Sequence, residues 1–144
     1  MSYLFGDTDL AARRLEVLAR VFREPTRAFL RDAVSTAPAV AVDLGCGPGF
    51  TTRLLAETLA CRQTVGLDSS QFFIDHASSI TIPAVSFELH DVTALPLPVD
   101  PIDLLYSRFL LTHLPHPSEL VTRWIGELRP GGLLLLEEPE WIET

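Results

Sequence analysis

"AVAVDLGCGPGFTT", residues 39–52, sets three glycines within five residues directly behind an apolar run. Val40–Leu44 reads as a buried strand, short and apolar on both faces, as in parallel sheets covered by helices. Gly45, Gly47 and Gly49 then follow at once. Glycines so placed let a ligand come close to the backbone, because no Cβ stands in its way.

Outward from this stretch the chain alternates regularly. Short apolar runs recur at Thr64–Leu67, Val85–Leu89, Ile102–Tyr106 and Leu133–Leu136. Between them lie "FTTRLLAETLA" (50–60), "SSQFFIDHASSI" (69–80) and "PSELVTRWIGEL" (117–128), each with helical spacing. The last opens on Pro117-Ser118 and stops before Arg129-Pro130-Gly131-Gly132. Val92–Asp100 contains Pro96 and Pro98 and is expected to be a loop. Upstream, Leu10, Val17, Leu18 and Val21 recur near a 3.6-residue period, so a helix is expected from Asp9 to Phe22 and a second from Pro25 to Val34. Repeated βαβ units predict an α/β fold, a Rossmann-like, mainly parallel open sheet with helices on both faces. Residues 1–36 form a helical segment, and 37–144 the sheet domain.

The chain has 144 residues, 47% hydrophobic and 21% charged, which bounds it to one domain. No apolar run is long enough to span a bilayer. "MSYLFGDTDLAARR" lacks the basic-then-apolar order of a secretory signal, so a cytoplasmic location is expected. The net charge of −8 argues against nucleic acid as partner, because phosphate binding needs a concentrated basic surface. Arg13, Arg14, Arg20, Arg23, Arg27 and Arg31 do cluster, but Glu16, Glu24 and Asp32 interleave them, as on a solvated helix face. Cys46 and Cys61 have no metal-ligand spacing and read as reduced thiols. His76, His90 and His116 likewise suggest no metal site.

A dinucleotide, a nucleoside triphosphate and a methyl-donating nucleoside all use glycine loops at this position. The dinucleotide fingerprint needs a small residue where this chain has Phe50, and its ring hinders pyrophosphate access to the helix N-terminus. A P-loop is excluded because no Gly-Lys-Ser/Thr follows. "DLGCGPG" (43–49) instead resembles the loop of class I S-adenosylmethionine-dependent methyltransferases, in particular the small-molecule group related to ubiquinone and menaquinone biosynthesis. Four further collinear blocks are similar to that family: "VGLDSS" (65–70), "LHDVTALPLP" (89–98), "IDLLYSRFLLTHLP" (102–115) and "LRPGGLLLLEEPE" (128–140).

The resemblance implies a strand order 3-2-1-4-5 and S-adenosyl-L-methionine as donor, with S-adenosyl-L-homocysteine as product. It implies that Gly45, Cys46, Gly47 and Gly49 approach the donor's amino-acid part, with Asp43 orienting the loop and the ammonium side. Asp68, with Ser69 beside it, would reach the ribose hydroxyls, and Asp68 follows Gly49 at the spacing usual for that contact. Asp91 would face the adenine amino group, the Val92 N–H a ring nitrogen, and Ser107 the methionine moiety. Each acid also stands where helix caps and turns are common. His113 is the candidate general base for a small-molecule acceptor. Arg108 is a candidate for binding an acidic acceptor group, with a surface ion pair as the plainer role. Tyr106 reads as core.

The resemblance makes residues 1–36 the lid and acceptor side. The family continues past its fifth strand with a helix and antiparallel strands, so a domain truncated there is expected, with a naturally shortened protein as the alternative. "GGLLLLEE" would then be an apolar edge, available for homodimer pairing. Two alternatives to a methyltransferase stay open: a donor-binding module inactive alone, and an NAD-dependent oxidoreductase, which Phe50 disfavours.

Overall fold

The structure, a computed structural model, describes residues 8–139. The outer ends of the two expected segments, residues 1–7 and 140–144, lie outside the described residues. A wholly parallel five-stranded sheet has the order β3-β2-β1-β4-β5. Its strands are β1 (Val40–Leu44), β2 (Gln63–Asp68), β3 (Val85–Leu89), β4 (Leu104–Arg108) and β5 (Leu133–Glu137). Helices α2 (Phe50–Leu59), α3 (Gln71–Ser78) and α4 (Pro117–Ile125) link neighbouring strands. The chain returns from β3 to β4 through the Pro-containing stretch. No helix among the described residues is long and apolar enough to cross a membrane.

Side chains on adjacent strand positions point to opposite faces, and the central strands are apolar on both. Val42, Leu44, Val65, Leu67 and Leu105 pack with Trp124 of α4 on one face. Ala41, Leu104 and Tyr106 pack with Leu55 and Leu59 of α2 on the other. The fully buried Trp124 keeps its indole N–H paired, donating to the Val92 carbonyl at 3.0 Å.

Three expectations are corrected. The strand expected over Ile102–Tyr106 begins at Leu104, because the Asp103 carboxylate takes the Val40 N–H at 2.8 Å and ion-pairs Arg129 at 2.9 Å. That shift brings Ser107 and Arg108 inside the end of the strand. The N-terminal region holds one helix, α1 (Asp9–Ala33), not two. Thr8 caps it, and the helix continues through Pro25 because Thr26 and Leu30 beyond are fully buried. Proline forfeits one hydrogen bond, to the Val21 carbonyl, at an exposed position where water can replace it. The inward face also differs from the expected one: Leu10, Val17 and Val21 are exposed, while Ala11, Leu15, Leu18 and Phe22 face the sheet's carboxyl edge. The arginine-rich face is solvated as expected, with Arg20 on Glu16 at 2.9 Å and Arg23 on Glu57 at 3.2 Å.

Gly66, in the middle of β2, fixes how closely the layers above can approach. A Cβ there would lie 2.7 Å from Phe87 Cδ1, 2.8 Å from Thr52 Oγ1 and 2.9 Å from Cys46 Cβ. Gly66→Ala is therefore expected to destabilise the fold by about 1–3 kcal/mol through overpacking. A urea denaturation midpoint equal to that of the wild type would contradict this.

Candidate functional site

From β1 the chain winds outward to β2 and β3, then crosses back to place β4 on the other side of β1. The crevice for a ligand in such a sheet lies above the carboxyl ends at this reversal. The loop 45–49 stands there, and α2 begins immediately after it.

Two acids form the floor of the loop. Asp43, at 1% exposure, accepts from the Thr51 hydroxyl at 2.6 Å and the Thr52 hydroxyl at 2.8 Å, which ties the end of β1 to the first turn of α2. Burial pushes its carboxyl up from 3.8 to about 6, despite those two hydrogen bonds and the nearby charge of Arg108. Asp68, also 1% exposed, accepts from the Gly47 N–H at 2.8 Å and the Ser70 N–H at 2.9 Å. It thus fastens the loop to the end of β2, and Cys46 N–H adds a bond to the Leu67 carbonyl at 2.9 Å. Burial first, and then the Asp43 charge, push the Cys46 thiol up, which keeps it protonated.

Backbone shape follows from the glycines. Gly47 has φ +54° and only Leu15 near where a Cβ would stand, at 3.6 Å, so the missing side chain leaves room above the loop. Gly49, φ +92°, caps α2 with no space for a Cβ against Phe87 and Arg53.

Above the loop lies a cavity of about 520 Å³, a size usual for small-molecule sites. Gly45, Cys46, Gly47 and His113 line it, so the structure brings these sequence candidates together. His113 is exposed, on the short 3-10 turn Leu111–His113 after β4, whose start is held by Glu138 Oε1 accepting from the Leu111 N–H at 3.0 Å. Ser69 and Ser107, at the ends of β2 and β4, each carry a hydroxyl shut off from solvent with no protein partner. Asp91 and Val92 are not among the lining residues. Asp91 accepts from the Thr93 hydroxyl and N–H, at 2.7 and 2.9 Å, and these bonds hold its carboxyl below the usual range. Val92 is buried in the core.

The opposite wall comes from the N-terminal helix and the stretch after β4. Leu15, Leu18 and Phe22 of α1 meet Phe109 and Leu110 after β4. Phe22 and Phe109 stack edge to face, with centroids 5.0 Å apart. Phe109 adopts φ +56°, a conformation costly for a bulky side chain and characteristic of functional sites. A second chamber of about 170 Å³ adjoins the first, and both share Phe50, Thr51 and Arg108. Among the described residues no cluster could hold a metal ion.

A glycine loop over buried acids at the switch point of a 3-2-1-4-5 sheet defines a nucleoside-binding α/β domain. A family profile described as a methyltransferase domain matches residues 42–136, and the chain belongs to that family, within the class I S-adenosylmethionine-dependent methyltransferases. It is 39% identical over 119 residues to trans-aconitate 2-methyltransferase of Methylobacterium nodulans, covering 83% of this chain and 45% of that protein. Its fold is similar to an S-adenosylmethionine-dependent methyltransferase from Mesorhizobium loti, with TM-score 0.64, 28% identity, and coverage of 76% of this chain and 51% of that one. It is also similar to a chain in the complex of a methyltransferase with the Haloferax volcanii activator Trm112, with TM-score 0.73, 26% identity, and coverage of 89% and 56%. The chain spans less than half the length of the curated relatives it matches.

The raised Asp43 carboxyl has a measurable consequence. The folded state holds this proton more tightly than the unfolded chain, so a charged Asp43 penalises folding above pH 6. The penalty is relieved as pH falls from 6 towards 3.8. Relative to Asp43→Asn, the wild type should gain roughly 1 kcal/mol of unfolding free energy between about pH 7.5 and about pH 5. A difference that stays constant across that window would show Asp43 titrating normally.

Proposed function

We propose that this chain is the donor-binding part of an S-adenosylmethionine-dependent methyltransferase acting on a small-molecule acceptor. The observation that carries the reading is the glycine loop held over two buried carboxylates beside an apolar cavity, in a chain of this family. The residues suit the donor: it has no phosphate and two positive centres, and the floor is acidic where a phosphate site would be basic. Gly47 leaves the space a Cβ would fill, and Ser69 and Ser107 offer unpartnered buried hydroxyls.

In this reading the backbone of Gly45, Cys46, Gly47 and Gly49 receives the donor's amino-acid part, with Asp43 beneath as counter-charge and Ser107 alongside. Asp68 and Ser69 take the ribose. Asp68, held in place by the Gly47 and Ser70 N–H groups, stands at the end of β2 where such a ribose contact is expected. Asp91 and Val92 serve the adenine edge. The bound donor supplies an electrophilic methyl group, and the protein's contribution is to hold donor and acceptor in line and keep water out. His113, on the cavity wall, takes the acceptor's proton where the acceptor carries one. Helix α1, forming the roof, serves as lid and acceptor wall.

Two finer readings accompany this one. Among the described residues β5 is an edge of the sheet, and Leu133 there is 42% exposed, which favours the reading of a homodimer paired through that edge. The free thiols of Cys46 and Cys61 suit the reducing cytoplasm.

Calorimetry with S-adenosylhomocysteine should give micromolar or tighter binding, and NAD none. Asp68→Ala should weaken S-adenosylhomocysteine by ~10-fold or more, from loss of charge-assisted hydrogen bonds. NAD binding without S-adenosylhomocysteine binding would sink the reading, and an unaltered affinity in Asp68→Ala would remove the ribose assignment.

A further inference from the structure

Arg108 stands at the junction of the two chambers, at the end of β4. Its placement is built from buried groups. One of its amino groups, Nη1, donates to Thr26 Oγ1 at 3.3 Å, and that hydroxyl donates onward to Glu137 Oε2 at 3.2 Å. The other oxygen of Glu137 accepts from the Tyr106 hydroxyl at 2.6 Å. Thr26 and Tyr106 are fully buried. The guanidinium also lies over the rings of Phe22 and Phe109, with its carbon 6.0 and 5.5 Å from their centroids.

This arrangement fixes the guanidinium and leaves its charge without a carboxylate partner. Among the described residues Arg108 makes no salt bridge, although the chain has 19 acids against 11 basic residues. The neighbouring acids are bonded elsewhere: Glu137 to two hydroxyls, Asp43 to Thr51 and Thr52, and Glu138 through one oxygen to the Leu111 N–H, its other oxygen being buried without a partner. In the smaller chamber Arg20 and Arg23 are paired with Glu16 and Glu57, whereas Arg53 also lacks an acid and one of its amino groups, Nη1, is shut from solvent without a partner. The chamber walls thus carry four guanidinium groups against two carboxylates. A half-buried guanidinium has five N–H donors, and the one bonded to Thr26 leaves an edge for bidentate binding.

We infer that Arg108 is the acceptor-specificity residue of this site and binds a carboxylate of an acidic small-molecule acceptor, with Arg53 adding charge from the adjoining chamber. The inference rests on the methyltransferase reading only for the word acceptor, because the anion site itself is defined by the arginines. Thr26, Glu137 and Tyr106 are positioning residues, acting through Arg108. Trans-aconitate, the acid in the name of a relative, is the probe of choice.

The test is calorimetric titration of trans-aconitate and of its trimethyl ester into the whole chain, with and without saturating S-adenosylhomocysteine. The acid is expected to bind ~10-fold or more tightly than the ester, from charge-assisted bidentate bonds. Arg108→Gln should weaken the acid by a similar factor while S-adenosylhomocysteine affinity stays within about twofold, which also certifies that the variant is folded. Arg108→Lys, keeping charge without the fork, should fall between, and Thr26→Val should weaken the acid by a smaller factor while leaving the ester's affinity unchanged. Equal binding of acid and ester by the wild type, or full acid affinity in Arg108→Gln, overturns the inference. Should S-adenosylhomocysteine fail to bind the wild type, the donor reading falls by itself, and the titrations without it still decide the role of Arg108.

Discussion

Everything at the ligand end of this domain depends on how five glycine-rich residues are held without a ladder to hold them. The sheet's hydrogen bonds stop at Leu44, and the loop amides beyond it need other acceptors. Asp68 supplies one from β2, the Leu67 carbonyl another, and Asp43 grips the first turn of α2 through two threonine hydroxyls. Asp43 is costly to ionise there, because it is buried and the charge of Asp68 stands near it. A cation arriving above the loop would lower that cost. Rigidity and affinity for positive charge therefore have one source.

Much of this frame was legible in the residues. Parallel strands announce themselves as short apolar runs, and β1, buried almost throughout, and β3, a half-exposed edge strand, both fall where those runs lie. "DLGCGPG" and "VGLDSS" sit at strand ends, where chemistry is expected in an open sheet, and the order of the strands agrees with the family resemblance. What periodicity could not give was tertiary choice. Pro25 reads as a stop by local rules, yet the burial of Thr26 and Leu30 outweighs one lost hydrogen bond. Leu10, Val17 and Val21 look like an apolar face, yet the roof of the cavity selects the set one residue over. Phe109 carried no local signal for its left-handed backbone. Asp103, which shortens β4 at its start, gave none either.

The site divides between two kinds of wall. The loop side is built from backbone and short acids, features tied to the sheet itself. The facing side is built from α1 and the residues after β4, where Phe22, Phe109 and Arg108 interlock through rings and charge. Such a division separates what the fold must keep from what an individual chain can vary. It is consistent with the breadth of relatives that share the sheet at modest identity.

The bond between Thr26 and Glu137 spans 111 positions of sequence and sits one residue after Pro25. It splits α1 into two mechanical parts. Behind it, Thr26 and Leu30 are fully buried, and Thr26 bonds both the half-buried Glu137 and Arg108. Ahead of it, the helix rests on the cavity roof and the face of α3, and its ladder is thinnest where proline lacks an N–H. Arg108 reaches both parts, through the ring of Phe22 ahead of the proline and the hydroxyl of Thr26 behind it, so any shift of the roof is felt at the guanidinium that would receive a ligand.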